Sequence, residues 1–141
     1  MAVTLRTAQP ADIPRVLAFW KLAAEDTDRD DSAEAVTALL ARDPDALLLA
    51  VDGNEIVGSL IAGWDGWRCH LYRFAVHPGR RRQGIGRALL DAAEQRFTGF
   101  GGRRAGAMVL DENDLAHAAW SAAGYHRQPQ WSRWVKPLAA P

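Results

Sequence analysis

The chain has little of what defines a disulfide-bonded, secreted or membrane protein. Among its 141 residues there is one cysteine, Cys69, which excludes an intrachain disulfide framework and a cysteine-rich zinc site and favours a reducing compartment. No apolar run approaches the roughly 20 residues that cross a bilayer. The N-terminal residues carry no basic segment followed by an apolar core, as a secretory signal would. We therefore expect a cytoplasmic location and no membrane partner.

The chain also lacks a net charge. Lys+Arg and Asp+Glu each number 17, whereas nucleic-acid-binding modules are more often basic overall. The arginine-rich stretch "VHPGRRRQGIGRALL", residues 76–90, is therefore a local feature, and we expect no nucleic-acid partner. A nucleic-acid binder that uses this stretch is the alternative, which a gel-shift assay at physiological salt would test. No repeat, low-complexity tract or shift in composition divides the chain. Its length suits a single domain over residues 1–141 with one sizeable core.

Hydrophobic periodicity predicts an α/β fold, because strand-like and helix-like spacings alternate along the chain. The predicted strands are residues 3–8, 46–52, 55–63, 68–76, 105–110, 125–128 and 132–138. The predicted helices run from Ile13 to Ala24, from Ser32 as N-cap to the residue before Pro44, from Gly84 to the break "GFGG", and over residues 113–124. The order β-α-α-β-β-β-α-β-α-β-β indicates a mixed central sheet.

The arginine-rich stretch lies in the turn between the strand that ends near Val76 and the helix that begins near Gly84. A helix N-terminus offers unpaired backbone N–H groups and the positive end of the peptide dipoles, both of which favour phosphate. Gly84 and Gly86 allow the backbone to approach phosphate oxygens closely. The stretch lacks the Gly-Lys-Ser/Thr ending of a Walker loop, and Leu89 stands where a dinucleotide fingerprint needs a small residue.

The pattern Arg81-x-x-Gly84-x-Gly86 resembles the acetyl-CoA pyrophosphate loop of the GNAT family of N-acetyltransferases. A second family signature, Asn-x-x-Ala-x-x-x-Tyr-x-x-x-Gly-Phe/Tyr, is matched with a tryptophan in place of the first tyrosine. The matching residues are Asn113, Ala116, Trp120, Gly124 and Tyr125.

The resemblance extends to the N-terminal part of the chain, where Arg6 and Asp12 match the family's arginine on the first strand and aspartate at the first helix. The length of the chain and its "GWDGWR" hairpin are similar to those of small bacterial YpeA-type members. The resemblance therefore covers nearly the whole chain and implies the GNAT fold.

The resemblance implies an acetyl-CoA-dependent N-acetyltransferase that uses no metal and acetylates a primary amine of a small molecule or peptide by direct transfer in a ternary complex. In such a protein acetyl-CoA lies between two central parallel strands, here "LYRFAV" and "AGAMVL". The implied acetyl-CoA-binding residues are Phe74, Ala75, Val76, Arg81, Arg82, Gln83, Gly84, Gly86, Arg87, Ala88 and Asn113. A solvated basic turn is the alternative interpretation for Arg80 and Arg82.

The catalytic groups depart from the family pattern, because Trp120 occupies the position where many members have a tyrosine that protonates the CoA thiolate. An indole N–H is a donor without useful acidity, so either another group acts, or the thiolate leaves unaided, or the chain is an acyl-CoA-binding module with little catalysis. His70 is a candidate general base on the same strand face as Tyr72 and Phe74 by the period of two. Asp111 and Glu112 are alternative bases, or helix-capping carboxylates.

The acceptor side is suggested by the acidic segment "EDTDRDD", residues 25–31, which would attract a cationic amine; a solvated loop is the alternative. Trp64 and Trp67 would either shape an acceptor pocket or pack across the strands. The sequence leaves open the acceptor amine, the acyl-chain preference and whether the protein is a monomer or a homodimer.

Overall fold

The computed structural model describes residues 2–24 and 31–138. The chain forms two compact units, Met1–Met108 and Val109–Pro141; a single domain over residues 1–141 stays a prediction. The strands are β1 (Thr4–Thr7), β2 (Leu47–Asp52), β3 (Glu55–Trp64), β4 (Cys69–Val76) and β5 (Ala105–Ala107). The helices are α1 (Ile13–Ala23), α2 (Ala33–Arg42), α3 (Ile85–Gly99) and α4 (Asp114–Ala122). No helix in these ranges is long and apolar enough to span a bilayer.

The first unit contains one sheet of five strands in the order β1-β2-β3-β4-β5. The first four strands form an antiparallel meander, and β5 pairs parallel to β4. A parallel pair needs a crossover connection, and α3 provides it between β4 and β5. The predicted α/β class and mixed sheet are confirmed.

Helices cover both faces of this sheet, as two neighbouring residues of β3 demonstrate. A Cβ atom on Gly58 would lie 2.9 Å from Ile85 Cγ2 on α3, so the absence of a side chain lets α3 approach the strand. The next residue, Ser59, points the other way and bonds to Trp20 on α1. The core between α1, α2 and the sheet includes Val16, Phe19, Trp20, Val36, Leu40, Leu47, Leu49 and Val51.

The predicted strands at residues 125–128 and 132–138 are wrong, since the described part of the second unit has no strand after α4. The apolar side chains of residues 131–138 are exposed to solvent, with Trp134 91% and Leu138 96% exposed. Alternation stabilises a strand only where one face is buried, and Pro129 and Pro137 have no N–H to donate to a ladder.

The predicted strand at 105–110 also ends early, at Ala107. The reason is that Leu110 belongs to the turn before α4. Its carbonyl accepts from the backbone N–H of Asn113 at 3.1 Å and lies 2.9 Å from Nε2 of His117.

Candidate functional site

The pairing of β4 with β5 stops well before β4 ends. Cys69 pairs with Ala105, His70 with Gly106 and Leu71 with Ala107, whereas β4 continues to Val76. On its other edge β4 stays paired with β3 as far as Val76. The ladder between the two parallel strands is therefore short, and the C-terminal half of β4 extends beyond it.

A β-bulge at Arg73 changes which way the C-terminal half of β4 faces. Tyr72 is registered with Ile61 and Ala75 with Ser59, so β4 has one more residue than β3 in this interval. Arg73 adopts a left-handed backbone conformation with φ of 50°. Such an extra residue bends the strand and interrupts the alternation of its side chains.

The prediction that His70, Tyr72 and Phe74 share one face is wrong because of this bulge. The rings of His70 and Tyr72 do lie side by side, with centroids 6.0 Å apart. Phe74 turns to the opposite face, where a Cβ atom on Gly86 of α3 would lie 3.0 Å from its Cζ atom. The guanidinium of Arg73 instead lies over the ring of Trp20, 5.3 Å from the centroid.

The bulge is held in place by a polar group that the sequence analysis missed, the fully buried Ser59. Its hydroxyl accepts from Nε1 of Trp20 at 2.9 Å and donates to the carbonyl oxygen of Arg73 at 2.8 Å. The Arg73 guanidinium also forms an ion pair with Asp31. A lone serine in the apolar run "EIVGSLIAG" was the available signal, because buried hydroxyls need hydrogen-bond partners.

The turn after β4 is anchored to the β2–β3 hairpin. Arg80 forms ion pairs with Asp52 at 2.7 Å and with Glu55 at 3.3 Å, and its side chain is 14% exposed. The interpretation of Arg80 as part of a solvated basic turn is therefore wrong. Arg81, Arg82 and Gln83 follow and are exposed. The turn thus presents exposed basic residues immediately before α3.

The N-terminus of α3 has no side-chain cap, in contrast to those of α2 and α4, which Ser32 and Asn113 cap. Gly84 occupies the N-cap position with φ of 83°, a left-handed conformation that glycine adopts without strain. A Cβ atom there would meet nothing within 4 Å. The N-terminus of α3 therefore combines backbone N–H groups that lack a side-chain cap with open space at the Gly84 Cβ position, two features that suit an anion-binding helix terminus.

The predicted acetyl-CoA-binding residues fall into two groups. Ten lie in the first unit along the end of β4, the turn and the first helical residues of α3, with Phe74 and Val76 partly buried, Ala75 buried, and Arg87 and Ala88 exposed. Gly86 has a packing role besides the predicted one, because Phe74 occupies the space of a side chain. Asn113 belongs to the second unit, where Oδ1 caps α4 by accepting from the N–H of Ala116 at 3.0 Å.

The candidate base His70 has a carboxylate neighbour, Asp65 of the "GWDGWR" hairpin, which the sequence analysis did not single out. Oδ2 of Asp65 lies 3.3 Å from Nε2 of His70, while Oδ1 accepts from the N–H groups of Arg68 at 2.6 Å and Trp67 at 2.8 Å. The hydrogen bonds from Arg68 and Trp67, with a smaller contribution from His70, lower the pKa of Asp65 to about 2. The spacing was a usable signal, since a tight hairpin brings these positions together.

The other catalytic candidates lie in the second unit. Trp120 is buried, and its ring packs edge-on against Tyr125 with centroids 4.9 Å apart. Asp111 forms an exposed ion pair with Arg127 at 3.2 Å, and Glu112 is exposed. The capping alternative for Asp111 and Glu112 is not met, because Asn113 caps α4.

The predictions for the acceptor side concerned Trp64, Trp67 and the acidic segment, and the structure describes only part of these residues. Trp64 stacks on Phe100 with centroids 5.5 Å apart, so its ring is used in packing, although not across the strands. Trp67 is 80% exposed beside the turn. In the acidic segment, residues 25–30 lie outside the described residues.

Comparison with known proteins identifies the family of the chain. The model of the acetyltransferase (GNAT) family matches residues 14–125. Over 124 residues the chain is 29% identical to an acetyltransferase of Sodalis glossinidius (strain morsitans), covering 88% of this chain and 87% of that protein. Over 121 residues it is 32% identical to an acetyltransferase of Pectobacterium atrosepticum, covering 86% of each.

The fold is similar to that of the aminoglycoside antibiotic 6'-N-acetyltransferase of Acinetobacter baumannii, with a TM-score of 0.78 at 20% identity, covering 98% of this chain and 100% of that chain. The family match extends over most of the chain, and the alignments with the two relatives cover most of the length of those proteins. The chain therefore belongs to the GNAT family of acetyltransferases and is an N-acetyltransferase.

Proposed function

We propose that the protein transfers the acetyl group of acetyl-CoA to a primary amine of a small molecule or peptide, directly and with both substrates bound. The observation that carries this proposal is the continuity of three features in one unit. The end of β4 extends beyond its ladder with β5, an exposed basic turn follows it, and the uncapped N-terminus of α3 comes next. The end of β4 suits an extended pantetheine arm, and the basic turn attracts the negative charge of the cofactor. The N-terminus of α3 suits a pyrophosphate.

The residues of this segment have separate tasks in the proposal. The main-chain groups of Phe74 and Val76 would pair with the pantetheine arm. The backbone from Gln83 to Arg87 would hold the pyrophosphate, with charge added by Arg81 and Arg82. Acetyl-CoA supplies the activated acetyl group as a thioester, and the chain orients it.

In this proposal His70 is the general base that removes a proton from the acceptor amine. An ammonium group must lose a proton before its nitrogen can attack, and a positioned imidazole contributes typically about 10²–10⁴-fold to such a step. His70 is partly exposed on β4 with a carboxylate beside it. Asp111 and Glu112 stay alternative bases, although Asp111 has Arg127 as an ion partner. Assignment of Asn113 to acetyl-CoA binding stays a prediction from the resemblance.

A second candidate function is acyl-CoA binding with little catalysis, favoured by the indole at Trp120. If the missing phenol limits turnover, Trp120→Tyr should raise kcat. We expect kcat to stay level or fall, because Trp120 is buried and packed on Tyr125, and a smaller ring leaves a gap. Steady-state acetyl transfer to one amine across pH 6 to 9 is the measurement. A clear rate gain in the variant would contradict this expectation.

The proposed function is tested by an amine panel with a thiol readout, together with calorimetry of acetyl-CoA binding. Gly84→Val should weaken binding about tenfold or more, the equivalent of losing a hydrogen bond to a charged group. Gly101→Val is the matched control, because Gly101 also has a positive φ, of 87°, and no atom within 4 Å of its Cβ position, but it lies after the C-terminal end of α3.

Both substitutions introduce similar backbone strain, about 1–2 kcal/mol, so a difference in acetyl-CoA affinity between the folded variants reports on the site. Equal affinities would overturn the assignment of the pyrophosphate to α3. Wild-type protein that binds acetyl-CoA but acetylates no amine would favour the binding module.

A further inference from the structure

The β3–β4 hairpin holds the Asp65 carboxylate in a fixed orientation beside His70. Two consecutive backbone N–H groups, of Trp67 and Arg68, donate to Oδ1. This arrangement leaves Oδ2 directed at Nε2 of His70, 3.3 Å away. The carboxylate therefore does not need the histidine in order to be oriented, and it is in place before any substrate arrives.

The ionised carboxylate of Asp65 determines which nitrogen of the neutral His70 imidazole carries the hydrogen. An ionised carboxylate can only accept hydrogen bonds, so the neutral imidazole must place its hydrogen on Nε2 to bond with Oδ2. Its lone pair then lies on Nδ1, which has no hydrogen-bond partner within the described residues. In a neutral imidazole the nitrogen that carries no hydrogen is the basic one.

The surroundings of His70 leave room for a second molecule. Its registered neighbours are Gly63 on β3 and Gly106 on β5, neither of which has a side chain. A Cβ atom on Gly106 would meet nothing within 4 Å. Tyr72 lies beside the imidazole on the same face and is 50% exposed. Among the described residues of the first unit, the imidazole is therefore bordered by two glycines, an aromatic ring and the carboxylate of Asp65.

We propose that Asp65 is a positioning residue that holds His70 in the tautomer with hydrogen on Nε2, so that Nδ1 receives the proton of the acceptor amine. This inference rests on the proposed function, in which His70 is the base. The first proton of the ammonium group moves to Nδ1. The neutral nitrogen then bonds to the acetyl carbon while the carbon–sulfur bond breaks with its electron pair on sulfur. The second amine proton neutralises the thiolate, and His70 releases its proton to solvent.

The tautomer is measured first, without substrate, by long-range proton–nitrogen correlation spectra of ¹⁵N-histidine-labelled protein at neutral pH. The chain has four histidines, and His70→Gln identifies the signals of His70. We expect the Nε2–H form in wild type. In Asp65→Asn the amide oxygen can still accept from the hairpin N–H groups, but an amide nitrogen facing Nε2 favours the Nδ1–H form. Asp45→Asn, an exposed aspartate elsewhere, is the control and should leave the tautomer unchanged.

Kinetics then connect the tautomer to transfer. Asp65→Asn should lower kcat/KM for the amine by about 10²-fold, the lower end of what a positioned base contributes, with unchanged acetyl-CoA affinity. In the His70→Gln background the same substitution should have no further effect, because a positioning residue acts only through the group that it positions.

The outcomes separate this inference from the proposed function. An Nδ1–H tautomer in wild type, or the same tautomer in Asp65→Asn, overturns the positioning role whatever the activity. A loss of transfer on Asp65→Asn that persists in the His70→Gln background overturns it as well. Full transfer by His70→Gln overturns the proposed base and the proton path with it. Absence of transfer to any amine in wild type overturns the proposed function, and a tautomer that responds to Asp65 then supports the positioning half alone.

Discussion

At the scale of the single residue, Asp12 keeps its negative charge although it is 3% exposed. Arg6 donates two hydrogen bonds to its carboxylate, at 2.7 and 2.9 Å, and Arg15 and the N–H of Gln9 donate one each, at 2.6 and 2.8 Å. The hydrogen bonds from Arg6 are the main reason why the pKa of Asp12 falls to about 2, against the opposing effect of burial. The Arg6–Asp12 pattern of the sequence thus ties β1 to the start of α1.

The first prediction concerns the pH dependence of this cluster. A carboxylate whose pKa is lower in the folded than in the unfolded chain stabilises the fold above its unfolded pKa, near 4, and loses that contribution as the pH falls toward 2. Asp12→Asn should therefore lower the free energy of unfolding by about 2 kcal/mol at pH 7. The difference from wild type should shrink between pH 4 and pH 2. Urea unfolding at several pH values measures it.

The control for Asp12 is Asp91→Asn, which removes the exposed ion pair with Arg87 at 3.2 Å. Exposed ion pairs between helical residues four positions apart contribute about 0.3–0.5 kcal/mol. The free energy of unfolding of this variant should therefore stay close to that of wild type. A loss for Asp12→Asn that is as large at pH 2.5 as at pH 7 would mean that the charge of Asp12 is not what stabilises the cluster.

At the scale of the element, β4 is divided by its bulge into two halves with different partners. The N-terminal half pairs with β5 and presents His70 and Tyr72. The C-terminal half extends beyond β5 and presents Phe74 to α3. Ser59 joins the bulge to α1 through Trp20. One buried hydroxyl on the neighbouring strand thus fixes the backbone that we propose for pantetheine binding.

The second prediction is that Ser59→Ala weakens both the fold and acetyl-CoA binding. The Trp20 indole N–H would be left buried without its acceptor, which costs about 1–3 kcal/mol of unfolding free energy. The Arg73 carbonyl would lose the hydroxyl donor that fixes the bulge, so the dissociation constant for acetyl-CoA should rise. Chemical unfolding and calorimetry are the two measurements.

Trp20→Phe separates the two effects of the Ser59 substitution. It removes the indole donor but leaves the Ser59 hydroxyl to donate to Arg73, so we expect a loss of stability with little change in acetyl-CoA affinity. If Ser59→Ala lowers stability alone, as Trp20→Phe should, then Ser59 serves packing and does not position the bulge.

At the scale of the whole molecule, the charges cancel in sum but are unevenly distributed along the chain. Four arginines fall within residues 76–90, and five carboxylates with one arginine fall within residues 25–31. Asp31 at the end of the acidic segment pairs with Arg73 of the bulge. This aspartate is therefore part of a structural ion pair, and a test of long-range attraction should leave it intact.

The third prediction is that the acidic segment attracts a cationic acceptor. Asp28→Asn combined with Asp30→Asn should raise KM for an amine substrate more than KM for acetyl-CoA, and the difference should shrink at high salt because salt screens long-range charge interactions. Asp31→Asn is the contrasting variant. Its effect should depend less on salt, since it acts through contact with Arg73. Equal changes in both KM values for the double variant would identify the segment as ordinary solvated surface.

The sequence by itself determined the features that depend on neighbours a few positions apart. Periodicity predicted all five strands and four α-helices that the described residues form, and Ser32 caps α2 as its position indicated. The arginine-rich stretch was correctly predicted to lie between a strand and the helix that begins after Gly84. Helix caps, turns and alternating faces follow from local backbone geometry, so they can be inferred without knowing the rest of the fold.

Only the tertiary structure decided the features that depend on the alignment of distant segments. The face of the sheet on which Phe74 lies follows from an extra residue in β4 relative to β3. Arg80 pairs with Asp52, 28 positions away, because the turn after β4 packs on the β2–β3 hairpin. The segment over residues 132–138 has the alternation of a strand but buries neither face. Register, ion-pair partners and burial are set by which segments meet in space, and a periodic pattern states only which face is apolar, not what will cover it.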